Sequence, residues 1–475
     1  MTLFKHYITY LGARGIPGII NFLSLYAFTR LLSPHEYGNI ILVVSSVGLF
    51  NALFLHWIRI GILRYYPAYS SKRSLFLSTL VPMHLVIYAV VILIGGGLFF
   101  FYQNHPLHAY FLIGAILLCW QSGFEAYLEI NRSNLNSGRY GLLSSMRAII
   151  YLGTGTLFVW LGGGGKGLLF GLLLGYFVPS LIGVFRIFSV YRFSDFDKEI
   201  FLKITKYGIP LSATFLLTFV IDSSDRLIIG WLIDSSAAGV YSAGYDLSSN
   251  SLVLLMSIVN LAAYPLAVRA LEHKGIEESK RQIEANGTLL FATSIPAAVL
   301  MIILADNITY IALGVSFQKM GSLLMPWIVI SALIMGIKAF HFDLSFQLGQ
   351  KTIQQVYIAL VSALGNFILN IWLITKFGII GAAYSTLISY LVGLVFSWFL
   401  GRRIFTIPVP WFELLKVICA SLIMTISVWQ LADLQGLHLF IIQATIGVTS
   451  YAFSAIMLNI GGCRKLFVYR ILNAK

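Results

Sequence analysis

The residues of this chain that could do chemistry are a few cations set deep in apolar sequence: Arg14, Arg59, Arg147 and Lys338, with His341 close to the last. A guanidinium presents a planar fork of donors that can hold a phosphate in a bidentate way. Ionisable side chains inside apolar spans are expensive, so each is a candidate for binding an anion. Arg14 lies nine residues beyond Lys5, about 14 Å along a helix and near mid-membrane. It stands in Gly12-Ala13-Arg14-Gly15-Ile16-Pro17-Gly18, where three glycines and a proline let a helix bend and other backbones approach. A bending helix that carries a ligand-binding charge couples occupancy to conformation. The competing reading is that Arg14 snorkels or pairs with an acid. Arg59 and Arg147 fall near the ends of their spans, where they could form a vestibule for phosphate or act as interfacial anchors. Lys338 and His341 are expected on one helical face, with Asp343 pointing elsewhere. His341 could titrate near neutrality or be a satisfied buried histidine.

The acids divide differently. Asp246, near mid-depth in Tyr241-Ser242-Ala243-Gly244-Tyr245-Asp246, is a candidate to bind a coupling proton or Na⁺, or else to pair with a cavity arginine. Asp222 is the second candidate for the coupling ion, although its four-residue spacing to Arg226 also allows a pair within one helix. Glu125, Glu129 and Arg132 share a helical face and read as a local ion-pair network. The pattern contains no phosphate-binding Gly-rich loop, no H-E-x-x-H and no nucleophile elbow. Cys119, Cys419 and Cys463 have no metal or redox spacing. No catalytic residue, metal or bound cofactor is expected, and the chain reads as a non-enzyme.

These residues need long apolar elements to position them. The chain has 475 residues, 58% hydrophobic and 11% charged, with a mean hydropathy of +0.86. A hydrocarbon core of roughly 30 Å needs about 20 apolar residues per helix, and about 14 stretches meet that length. Lipid offers the backbone no partner and the runs are too long for barrel strands, so helices are predicted. No cleavable signal is evident after Lys5. Lys and Arg collect in every second gap, from Lys5 through Arg64, Arg132, Lys198, Lys280, Lys351 and Arg402 to Lys475, whereas the other gaps hold Lys166, Lys319 and Lys376. Basic residues are retained on the cytoplasmic side, which places both termini there. The same pattern accounts for the net charge of +14, so no nucleic-acid partner is expected.

Two inter-helix turns repeat. Leu31-Leu32-Ser33-Pro34-His35-Glu36-Tyr37-Gly38 and Leu232-Ile233-Asp234-Ser235-Ser236-Ala237-Ala238-Gly239 align at a shift that also sets Lys5 on Lys206. Six helices per repeat preserve orientation, so the halves should be related by an axis along the membrane normal. The expected architecture is all-α: two six-helix bundles, 1–195 and 196–405, and two further helices with a cytoplasmic tail in 406–475.

With Arg30 before it, the first turn resembles the signature of bacterial polysaccharide-repeat flippases of the O-antigen type. Tyr207-Gly208-Ile209-Pro210-Leu211, Asp222-Ser223-Ser224-Asp225-Arg226 and Gly239-Val240-Tyr241-Ser242-Ala243-Gly244-Tyr245 are similar to the start of that family's second half. The family belongs to the multidrug/oligosaccharidyl-lipid/polysaccharide exporter superfamily. The resemblance implies two bundles around a central cavity in the cell inner membrane. It also implies transfer of an undecaprenyl-pyrophosphate-linked oligosaccharide to the periplasmic leaflet by alternating access, for lipopolysaccharide synthesis. It implies a polysaccharide polymerase and a chain-length regulator as partners, beside membrane lipids. An ion-coupled drug or small-molecule antiporter of the same superfamily is the alternative, and should have an acidic cavity. A membrane-embedded polymerase or glycosyltransferase would need an external loop larger than any gap here.

Overall fold

The computed structural model describes residues 2–464 apart from positions 70, 105–107, 135, 190, 193–194 and 432–434. Among the described residues there is no strand. The chain divides into two units, Met1–Gly239 and Val240–Lys475. The first holds α1 (Thr2–Leu31), α2 (Pro34–Phe54), α3 (His56–Tyr65), α4 (Arg73–Phe101), α5 (His108–Ser133), α6 (Ser137–Phe158), α7 (Gly164–Phe188) and α8 (Lys198–Leu232). α9 (Ser235–Lys274) starts in the first unit and continues into the second. The second unit adds α10 (Ile276–Ile303), α11 (Ala305–Ala312), α12 (Val315–Ile337), α13 (Leu344–Leu348), α14 (Ile353–Phe377), α15 (Ile379–Gly401), α16 (Trp411–Trp429) and α17 (Leu437–Met457).

Among the described residues 11 helical runs are long and apolar enough to cross a membrane, or 12 with the bent α8, against about 14 expected. One of the 11 runs from Ser137 to Ile187 over 51 residues, more than one crossing needs. It divides at Gly162 and Gly164, both at positive φ, into α6 and α7. α8 bends by 42° between Ala213 and Phe215, within a turn of Pro210.

Polarity is distributed as a bilayer requires. Leu93, Phe101, Trp160 and Phe185 are exposed, whereas Ser122, Ser242, Asn307, Asn366, Asn370 and Ser385 are buried. Lipid supplies no hydrophobic drive between helices, so they meet through small residues and interhelical hydrogen bonds. In the first unit a Cβ on Gly171 would lie 2.5 Å from the Gly155 backbone, so α6 and α7 touch main chain to main chain. In the second, Ser385 Oγ of α15 donates to the Asn366 carbonyl of α14 at 3.0 Å, and Asn307 of α11 donates to Gln443 of α17 at 2.6 Å.

The first repeated turn is a helix start built from standard parts. Ser33 is the N-cap of α2 and Pro34 its first residue, where the missing N–H costs nothing. Glu36 and Ser33 satisfy each other's backbone amides in a capping box, at 3.2 and 3.3 Å. At the start of α9, Asp234 Oδ1 accepts from the Ala237 amide at 2.7 Å. The two starts meet: a Cβ on Gly38 would collide with the Ser235 carbonyl, and one on Gly239 would lie 2.8 Å from the Gly38 amide nitrogen. Gly38 and Gly239, which the two turns align, are thus each other's neighbours.

Candidate functional site

Arg59 lies on α3, just past a break at Leu55 that ends α2. α3 packs against α8 and α5. There Arg59 pairs with Glu125. Asn51 also donates to Glu125 Oε2 at 2.8 Å and Gln121 to its Oε1 at 3.1 Å. His56 Nδ1 is 2.5 Å from the Arg59 guanidinium, and its ring stacks on Phe215 at 3.7 Å between centroids. Arg59 and Glu125 are 13% and 23% exposed, so the pair is screened little. Arg147 of α6 lies 5.3 Å from the centre of the Tyr176 ring on α7, and Tyr176 packs edge-on at 5.7 Å against Phe124, the neighbour of Glu125 on α5. Arg59 and Arg147 are both half-buried in the first unit. The spacing-based reading kept Glu125 within a local network with Glu129 and Arg132. The structure keeps the Glu129–Arg132 contact, at 3.5 Å, but sends Glu125 across to Arg59. The reason is distance: Arg132 is two turns beyond Glu125, whereas α3 lies directly against α5.

In the same unit an apolar cavity of about 270 Å³ opens between α2, α4 and α5, walled by Val43, Phe50, Phe54, Ile94, Leu98 and Phe111. Arg14 lies in α1, and its side chain is outside the described residues.

In the second unit Lys338 donates to Asp343 Oδ2 at 2.7 Å, and Ser397 of α15 donates to Asp343 Oδ1 at 2.7 Å. This corrects the expectation that Asp343 points elsewhere. Five residues in an α-helix turn about 500°, which separates two side chains by about 140°. Here α12 runs into a π-turn over Lys338–Phe342, and the Asp343 amide donates to the Lys338 carbonyl at 2.8 Å. That i to i+5 bond places the two side chains one above the other. The same turn separates Lys338 from His341, which were expected to share a face. His341 is buried against α10, within 5.4 Å of the Phe291 ring and close enough to Gly287 that a Cβ there would lie 2.7 Å from its ring. Asp246 is half-buried on α9 in the second unit, and Asp222 half-buried on α8 in the first. Among the described residues no group of three His, Cys, Asp or Glu could hold a metal ion.

Asn51, His56, Gln121 and Ser397 were not anticipated. Glu125 carried a signal, since a carboxylate inside an apolar run needs a partner, but nothing in the spacing pointed to Arg59 as that partner. The π-turn leaves no such mark in the sequence.

Among the described residues, Arg59 and Lys338 are each held by a carboxylate within apolar helices. The model of the family described as "polysaccharide biosynthesis protein" matches residues 27–322. Two curated relatives come from Haloferax volcanii. The "probable low-salt glycan biosynthesis flippase Agl15" is 22% identical over 344 residues, 68% of this chain and 66% of its own length. The "probable flippase AglR" is 21% identical over 289 residues, 58% of this chain and 56% of its own. The match spans less than two thirds of either relative. Among solved structures, the lipid II flippase MurJ in an inward closed conformation superposes with a TM-score of 0.77 at 18% identity, over 97% of this chain and 100% of that one. An inward-facing multidrug resistance MATE family transporter of the MOP superfamily gives 0.60 at 12% identity, over 83% and 97%. The spans, the paired glycine turns and the family match lead to one assignment: this multi-pass membrane chain belongs to the polysaccharide biosynthesis protein family, and has the fold shared by MurJ and the MATE transporters.

Proposed function

We propose that the protein is a flippase that carries an undecaprenyl-pyrophosphate-linked oligosaccharide repeat unit from the cytoplasmic to the periplasmic leaflet by alternating access. The observation that supports this reading is that Arg59 of α3 and Arg147 of α6 lie half-buried in the first unit, two cations set among apolar helices in a chain of this family. A pyrophosphate head group cannot cross hydrocarbon unshielded, and clustered guanidinium groups are the side chains suited to receive it. Arg14, Arg59, Arg147, Lys338 and His341 are the residues proposed to contact the head group and the first sugar. Asp246 and Asp222 are proposed to take a coupling proton or Na⁺. The protein catalyses no covalent step in this reading and needs no cofactor. It works in the inner membrane with both termini cytoplasmic, beside a polymerase and a chain-length regulator. The repeat-based division at 195 and 405 then separates the two moving bundles from two appended helices.

The test uses the purified chain in vesicles that carry such a lipid-linked oligosaccharide. Head groups of the inner leaflet should become accessible to a membrane-impermeant sugar-modifying reagent, whereas in protein-free vesicles they should not. Arg14→Ala should abolish the exchange and Arg14→Lys weaken it. Exchange no faster than in protein-free vesicles sinks the flippase reading. Full activity in both variants removes Arg14 from the site. The MATE-like fold favours a second reading, an ion-coupled small-molecule antiporter, which the same vesicles would show as cation-driven dye efflux.

A further inference from the structure

The donors and acceptors around Arg59 and Glu125 do not match in number. A guanidinium carries five N–H donors in a fixed fork. Arg59 directs Nη1 to Glu125 and Nη2 to His56 Nδ1, while its Nε is buried with no hydrogen-bond partner among the described residues. A buried donor left without a partner is costly, and each such case asks for an explanation. Glu125 is in the opposite position. It accepts from Arg59, from Asn51 at 2.8 Å and from Gln121 at 3.1 Å. The carboxylate would keep two neutral donors if the arginine left it.

Nor is the ion pair what seats α3. A Cβ on Gly61 of α3 would lie 2.5 Å from Ile204 of α8, and one on Gly208 of α8 would strike the Trp57 carbonyl. His56 adds its stack on Phe215 of the same helix. α3 is thus fitted to α8 by shape, independently of charge. A buried ion pair is in general weak evidence for stability, because apolar residues of the same size often serve as well. Both side chains retain some exposure, and Arg64 follows on the last turn of α3. The pair therefore has a spare donor on one partner and other holders for the second, and it is not sealed off.

We propose that Glu125 is the resident counter-ion of an anion site on Arg59, and that an incoming phosphate group displaces it. Ligand oxygens accept from Arg59 Nε, otherwise unpartnered, and from Nη1, which Glu125 gives up. Guanidinium donors suit phosphate oxygens. Glu125 stays ionised on Asn51 and Gln121 throughout, so no charge is stranded and no proton moves. The ligand must hold the guanidinium more strongly than a carboxylate already in place. Multiply charged phosphates meet that condition, whereas zwitterionic head groups, which bring no net charge, do not. Glu125 is thereby a specificity-determining residue that keeps Arg59 from the bulk lipid of the membrane. That the ligand is the pyrophosphate of a lipid-linked sugar rests on the flippase reading; the exchange at Arg59 does not.

Isothermal titration of the purified full chain in detergent with inorganic pyrophosphate reads this exchange. Glu125→Gln keeps the size of the side chain and removes the competing charge. It should bind pyrophosphate about tenfold more tightly than wild type, the equivalent of one charge-assisted hydrogen bond. Gln121→Leu removes a holder of the displaced carboxylate and should bind more weakly than wild type. Glu125→Asp retains the charge and should bind no more tightly. Adding Arg59→Met to Glu125→Gln should abolish the tight binding, which separates this site from the exposed lysines and arginines of the chain. Glycerophosphocholine, a zwitterion, should not register on wild type at concentrations where pyrophosphate saturates it. Glu125→Gln binding no tighter than wild type, tight binding that persists without Arg59, or equal affinity for the zwitterion overturns the proposal. If Glu125→Gln melts too low to titrate, Gln121→Leu decides, and an affinity equal to wild type overturns the exchange. No lipid-linked sugar is present, so a negative result here leaves the vesicle assay standing, and loss of flipping there leaves this site standing.

Discussion

At the scale of single residues, each half-buried cation described here comes with company. Arg59 is held by Glu125, Asn51 and His56, Arg147 by Tyr176, and Lys338 by Asp343. Removing one member of a buried pair leaves an uncompensated charge, whereas removing both need not. Glu125→Ala should therefore lower the stability of the detergent-solubilised protein by about 3 kcal/mol. The double variant Arg59→Met with Glu125→Met should recover most of that melting temperature. If Arg59 also serves the anion, the double variant should melt like the wild type and still fail in vesicle exchange. Recovery of both properties would make the pair purely architectural. The cations themselves were legible, because charge inside apolar sequence is conspicuous. Their partners were not, since which acid faces which base depends on how α3 lies on α5, a tertiary fact that no spacing rule encodes.

At the scale of elements, the start of α2 was the most legible part of the chain. Ser33, Pro34 and Glu36 stand where the chemistry of an N-terminus asks for them. What the pattern could not convey is that Gly38 is there for a neighbour rather than for its own helix. Its φ is not positive, so it is not required by backbone strain; a methyl group would strike the Ser235 carbonyl. Gly38→Ala should force α2 and the start of α9 apart. The expected cost is about 1–3 kcal/mol of overpacking, seen as a lower melting temperature, whereas Gly15→Ala, which meets nothing within 4 Å, should leave it unchanged by this route. Equal melting of Gly38→Ala and wild type would remove the close contact. The π-turn after α12 marks the opposite limit. Helical periodicity assigned Lys338, His341 and Asp343 to the wrong faces because one extra residue per turn rotates everything beyond it.

At the scale of the whole molecule, the architecture followed from composition and from where the charges fall. The all-helical membrane fold was legible because lipid leaves the backbone few options. Buried polar residues sit among an apolar core, and many large apolar side chains are exposed on the outside, where a water-soluble protein would carry charge. The alternating Lys and Arg gaps yield an orientation that reporter fusions can check. Alkaline phosphatase fused after Gly378 should be active in the periplasm, and after Gly275 inactive. The reverse result would invert the topology. The meeting of Gly38 with Gly239 has a further consequence, for inheritance. Two positions 201 residues apart in the chain occupy one shared volume, and they fill it from both sides. Neither can drift toward a larger residue alone, and a change at one alters which changes the other can bear. They are two letters in the gene but one character for selection.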